Sequence, residues 1–145
     1  MLTGDFTHSV DTKGRLIIPM KFRESLGENF VITKGMDGCL FVYPPGEWKE
    51  FEEKIKVLPL TNKKVREFKR FMLGSAVEGS LDKQGRVLLP PSLREFAKLE
   101  KEVVLVGVLD KLEIWDKAKW DESNSAVEHN IEDIAASMEE LGWSI

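Results

Sequence analysis

Cysteine is nearly absent from this chain. Its one copy, Cys39, excludes an internal disulfide and any zinc site built from several cysteines, and suits a reducing compartment. Its expected place is that of a small strand residue. Histidine is as scarce: His8 and His129 fall in different local contexts, and a histidine without co-ligands makes no metal site. His8, on the first strand near a turn, reads as structural or solvated. No apolar run approaches the length of a bilayer, and the opening "MLTGDFTHSV" lacks the basic and hydrophobic segments of a signal peptide. A cytoplasmic protein with no membrane partner is expected. Also missing, at usable spacing, are a nucleophile–base pair, a cluster of metal ligands and a phosphate-cradling loop. The chain therefore reads as a non-enzyme, with no catalytic residue, metal, cofactor or small-molecule substrate expected.

An excess of positive charge is lacking too. The formal net charge of −4 argues at first against nucleic acid, because phosphate neutralisation by Lys and Arg supplies much of such affinity. The distribution matters more. Residues 1–75 carry 13 basic against 10 acidic side chains, whereas residues 76–145 carry 8 against 15. From Asp116 onward eight acidic residues stand against two lysines, so the chain ahead of this tail is slightly basic. DNA is not excluded. With 145 residues, 42% of them hydrophobic, there is material for one well-cored domain or two small interlocked lobes.

What is present is a sentence written twice: "DTKGRLIIP" at 11–19 and "DKQGRVLLP" at 82–90. Aligning 11–24 with 82–95 gives identities at Asp11/Asp82, Gly14/Gly85, Arg15/Arg86, Pro19/Pro90, Arg23/Arg94 and Glu24/Glu95. Unrelated segments of that length would share about one. After a one-residue shift Gly35 aligns with Gly107, Leu40 with Leu112, Val42 with Ile114, Tyr43 with Trp115, and Trp48 with Trp120. Two copies are too few for a solenoid, so a two-lobed domain with pseudo-twofold symmetry is the economical reading.

Each copy reads strand, turn, strand, short helix, strand, turn, strand. "FTHSV" (6–10) and "AVEGSL" (76–81) alternate as half-buried strands do and run into turns at Gly14 and Gly85; "RLII" and "RVLL" resume as strands. Pro19 and Pro90 suit the first turns of "MKFRESL" and "PSLREFAKL". "FVIT" pairs with "CLFVY", and "VVLVGV" with "LEIW". Between the copies, two apolar stripes predict connecting helices: Trp48, Phe51, Ile55 and Leu58, then Val65, Phe68 and Met72. At the end, Val127, Ile131, Ile134, Met138 and Leu141 recur at helical spacing before Gly142. This acidic amphipathic helix is expected to pack on the chain's own core, with a partner or subunit contact as the alternative. Of the four tryptophans, Trp48, Trp115 and Trp120 are core candidates and Trp143 is expected at the surface. The divisions are a first repeat at 1–50, connecting helices at 51–75, a second repeat at 76–121 and the C-terminal helix at 122–145.

Glycine at 14 and 85 lets the backbone turn with positive φ, and the next arginine projects from a strand start. Asp11 and Asp82 are placed to bond turn amides or brace the arginine. One such hairpin is ordinary turn chemistry. Its repetition with arginine retained points further, because reading guanine edges or gripping phosphate requires the planar guanidinium. Lys13, Lys21 and Arg23 add to the first patch, Lys83 and Arg94 to the second, and Gln84 is of a type that pairs with adenine. The expected DNA-binding residues are Lys13, Gly14, Arg15, Lys83, Gln84, Gly85 and Arg86, with Asp11 and Asp82 positioning the loops. An acid–base role for Asp11 and Asp82 as a pair is disfavoured, since the neighbouring arginines hold them ionised.

"HSVDTKGRLIIPMKFRESL", "KGMDGCLFVYPPGEW", "LPLTNKKVREFKRFMLGSAVEGSLDKQGRVLLPPSLREFAKLEKEVVLVGV" and "EIWDKAKW" together resemble the bacterial MraZ proteins, in order and nearly without gaps to about residue 120. The resemblance implies an α+β fold with a mainly β core, an AbrB-like swapped-hairpin β-barrel built from the two repeats. It further implies a ring-shaped homo-oligomer, association with the nucleoid, and transcriptional regulation at repeats upstream of division and cell-wall genes. The family's Asp-x-x-x-Arg signature falls on Asp11 with Arg15 and Asp82 with Arg86. The partner so implied is double-stranded DNA. A protein-binding module, antitoxin-like or scaffolding, is the rival reading, and the C-terminal stripe is its main support.

Overall fold

The computed structural model describes residues 1–144. Its strands are β1 (Leu2–Ser9), β2 (Arg15–Ile17), β3 (Phe30–Lys34), β4 (Leu40–Tyr43), β5 (Val77–Gly79), β6 (Arg86–Leu88), β7 (Glu102–Leu109) and β8 (Leu112–Asp116). Its helices are α1 (Met20–Leu26), α2 (Pro45–Lys56), α3 (Lys63–Met72), α4 (Pro91–Phe96), α5 (Lys117–His129) and α6 (Ile131–Ser137), followed by a 3-10 turn at Met138–Leu141. The fold is α+β, with a sheet at its core. Among the described residues no helix is long and apolar enough to cross a membrane.

Six strands form an antiparallel sheet in the order β1-β7-β8-β4-β3-β5, and β2 pairs with β6 in a separate two-stranded ribbon. The order reads the same from either end once each strand is exchanged for its counterpart in the other copy. The pseudo-twofold axis passes between β4 and β8, at the Phe41·Glu113 pair, and through the Leu16·Val87 pair of the ribbon. The expected closed barrel does not form. β1 and β5 stand at the two free edges of the large sheet, and β5 is only three residues long. Closure needs edge strands long enough to pair along a continuous stagger; instead β2 and β6 pair with each other over one face.

Strand alternation divides the interior into two layers. Phe30, Ile32, Leu40, Val42, Leu105, Leu112 and Ile114 line one face, closed over by Leu16 and Val87 of the ribbon, Phe22 and Leu26 of α1, and Leu93 of α4. Phe41, Tyr43 and Trp115 line the other face with Cys39, under Met72 of α3 and the partly buried Trp48, Phe51, Phe68 and Trp120. Burial pushes the Cys39 thiol up to about 12 and the Tyr43 hydroxyl likewise to about 12, so neither ionises near neutral pH. The Thr33 hydroxyl, fully buried, donates to the Met72 carbonyl at 2.5 Å and meets Ser75 at 2.9 Å, tying α3 to β3.

Two expected stripes depart from expectation. Leu58 lies beyond the end of α2 and is exposed. The C-terminal stripe is not core: Val127, Ile131, Ile134 and Leu141 are all exposed, Leu141 by 78%, and Trp143 by 55%. The helix starts at Lys117, where Trp120 packs edge-on against Trp115 at 5.6 Å, and it breaks at Asn130. From 121 to 130 the run "DESNSAVEHN" offers only Ala126 and Val127 as apolar groups, too few to bind the helix to the sheet.

Candidate nucleic-acid interface

Asp11 and Asp82 organise the two loops identically. The Asp11 carboxylate accepts from the Lys13 and Arg15 backbone N–H groups at 2.9 and 2.8 Å, and from Arg15 Nε at 2.7 Å. Asp82 accepts from the Gln84 and Arg86 N–H groups at 2.9 Å and from Arg86 Nε at 2.8 Å. A carboxylate with several N–H donors is favoured in its charged form. The Arg15 N–H, followed by the Arg15 side chain and the Lys13 N–H, holds the Asp11 carboxyl below its ordinary value against some opposing burial; the same groups of Arg86 and Gln84 act on Asp82.

Binding through Nε leaves the two terminal nitrogens of each guanidinium without an ion-pair partner among the described residues. Those are the nitrogens that make a bidentate fork. Gly14 and Gly85 sit at φ +84° and +76°, the region that disfavours residues with a Cβ. Lys13, Lys83 and Gln84 are exposed. The loops meet across the ribbon, where Ile18 N–H donates to the Gly85 carbonyl at 2.9 Å and Leu89 N–H to the Gly14 carbonyl at 2.8 Å. Lys21 is turned aside, with its Nζ 5.8 Å from the Phe6 ring centroid.

Arg23 and Arg94 do more than add charge. Each donates Nε to a backbone carbonyl of its own copy, Ile18 at 2.8 Å and Leu89 at 3.0 Å. The guanidinium then lies against the glycine of the opposite copy's loop: a Cβ on Gly14 would stand 2.9 Å from Arg94 Cζ, and one on Gly85 would collide with Arg23. Each loop is thus backed by an arginine from the other repeat. Their identity in the repeat was a signal; their partner glycines, 62 and 80 residues away in the other copy, were not legible locally. His8 is half-buried on β1 opposite Val103, and among the described residues no group of three or more His, Cys, Asp or Glu could hold a metal ion.

The family model described as "MraZ protein, putative antitoxin-like" matches residues 1–71 and again residues 72–140. The chain belongs to the MraZ family. The tandem match follows the repeat that the palindromic strand order displays. Among MraZ relatives, the "Transcriptional regulator MraZ" of Clostridium acetobutylicum is 57% identical over 143 residues, covering 98% of this chain and 99% of the relative. Proteins of the same name from Caldanaerobacter subterraneus subsp. tengcongensis and Pediococcus pentosaceus are 54% and 53% identical, over 96% and 98% of this chain and 97% and 99% of the relatives. The similarity reaches through the C-terminal helices and is not confined to the loops.

Proposed function

We propose that the chain is a sequence-specific transcriptional regulator that binds double-stranded DNA through its two Asp-x-x-x-Arg loops, at repeats upstream of division and cell-wall genes. The observation that carries this reading is the geometry of Arg15 and Arg86. Both stand on one solvent face of a two-stranded ribbon, each held at Nε by an aspartate with its terminal nitrogens free to bond. The names of the MraZ relatives support the same reading. Lys13 and Lys83 take phosphate, Gln84 reaches a base edge, Gly14 and Gly85 permit the turns, and Asp11 and Asp82 position them.

The AbrB-like swapped-hairpin arrangement belongs to this proposal, supported by the pairing of β1 with β7, β5 with β3 and β2 with β6, each across the two copies. So does the division into repeats at 1–50 and 76–121, connecting helices at 51–75 and a tail at 122–145. Two loops make few contacts, so a ring-shaped homo-oligomer that links many of them multiplies affinity; free sheet edges at β1 and β5 leave surface for such assembly. The working location is the cytoplasm, on the nucleoid. A random duplex pool enriched by the full-length protein, with footprinting of the enriched site and native mass measurement, tests this. Enrichment of a repeated site by an oligomer is expected; a protein that enriches no sequence would refute it.

A further inference from the structure

Ile17 and Leu88 end the two strands of the ribbon and face solvent, 41% and 61% exposed. Strand alternation explains the direction: with Leu16 and Val87 in the core, the residues on either side must point outward. The antiparallel register sets Arg15 opposite Leu88 and Ile17 opposite Arg86. Directly opposed residues project to the same side with Cβ atoms roughly 5 Å apart. The outer face of the ribbon is therefore a four-residue patch, two guanidinium groups and two aliphatic side chains, each arginine paired across the strands with one aliphatic.

Solvated strand faces are ordinarily polar. Here both copies keep an aliphatic residue at the equivalent outward position, beside an arginine. Building on the DNA reading above, we propose that Ile17 and Leu88 are specificity-determining residues that pack on the C5-methyl groups of thymines in the major groove, beside the base edges bonded by the cross-strand arginines. The major groove, about 12 Å wide, admits a two-stranded ribbon and displays the thymine methyl, and aliphatic contact is how that methyl is read. The same ribbon in the minor groove would meet no methyl. Each arginine is paired with an ionised aspartate, so the exposed Lys13 and Lys83 supply the net positive charge beside the face that complements duplex DNA, and the aliphatic groups supply the contact that arginine cannot.

The test uses the full-length protein and the duplex it enriches from a random pool. Each thymine of that site is replaced in turn by deoxyuridine, which removes only the methyl, and affinity is measured for the parent, Ile17→Ala and Leu88→Ala. One or more replacements are expected to weaken the parent by about three- to fivefold, the size expected for exposing one buried methyl. The same replacement should then cost the matching alanine variant nothing. The uracil series on the parent stands even where a variant folds poorly. An enriched site without thymine, a parent indifferent to every replacement, or alanine variants as sensitive as the parent would each overturn the inference while leaving DNA binding intact. Variants that change native mass, with the uracil response unaltered, would assign the patch to a subunit contact and also overturn it. A parent that enriches nothing overturns the DNA reading and this inference together.

Discussion

The helices that leave β4 and β8 begin alike and end apart. α2 and α5 follow equivalent strands, and each places a tryptophan, Trp48 or Trp120, against an aromatic residue at or next to the end of the preceding strand, Tyr43 or Trp115. One turn later α2 carries Phe51, stacked on Trp48 at 5.3 Å and packed on Tyr43 at 5.7 Å. The equivalent residue of α5 is Ser123. A turn further, Ile55 is buried while its counterpart Val127 is exposed. Loss of one aromatic anchor lets the second helix depart. The ribbon loops, by contrast, are nearly superimposable in their bonding, with Arg–Asp distances of 2.7 and 2.8 Å. The two copies keep the same bonding at the ribbon loops and part where α5 turns to solvent.

The sharpest way to break that contrast is in the core. Leu16→Ala, at the buried centre of the ribbon, should cost about 2–5 kcal/mol in denaturant unfolding of the full-length protein. Ile131→Ala, on the departing arm, should stay within about 0.5 kcal/mol. Equal costs would mean the arm is packed after all.

Next in size is the loop glycine pair. Gly14→Ala and Gly85→Ala place a Cβ at positive φ, which costs about 1–2 kcal/mol, and displace Arg94 or Arg23 from its backing position. Matched losses of stability from the two copies are expected. A loss from one glycine only would show that the loops are not equivalent.

Much of this was legible in the sequence, and the reason is local chemistry. Gly14 and Gly85 mark turns, Pro19 and Pro90 stand immediately before α1 and α4, and alternating strands set the core faces. The missing parts were non-local. β1 begins at Leu2, earlier than its alternation suggests, because it is completed by β7 about a hundred residues on. Ile17 and Leu88 read as ordinary strand residues until their register with Arg86 and Arg15 is known. Failure of the barrel to close, and of the C-terminal stripe to pack, likewise depends on partners that no local pattern encodes.

A smaller effect is expected from removing residues 123–145. Their acidity repels phosphate, and the exposed arm adds little to the core, so specific binding should remain measurable by electrophoretic shift. Complete loss of binding by a truncated protein that is still folded and assembled would give the arm a direct role.

The smallest effect is the titration of the loop carboxylates. Folded Asp11 and Asp82 lie below their ordinary value of 3.8, so their contribution to loop order is full above that value and is lost as pH falls through the lower folded midpoint. Carbon-detected NMR should place both midpoints below 3.8. A midpoint at or above it in either copy would mean that loop's N–H bonds are not formed in solution.

The most direct measurement is the affinity and selectivity of Arg15→Ala/Arg86→Ala for the enriched duplex, beside the Arg→Lys pair. Each lost base contact should cost roughly 1–3 kcal/mol, adding up over the subunits of the proposed ring, with the unfolding midpoint close to that of the parent. Lysine should restore charge-driven binding and its salt dependence but not selectivity, since it lacks the planar fork. An alanine pair that is folded, assembled and as tight and selective as the parent would contradict DNA reading by these two arginines.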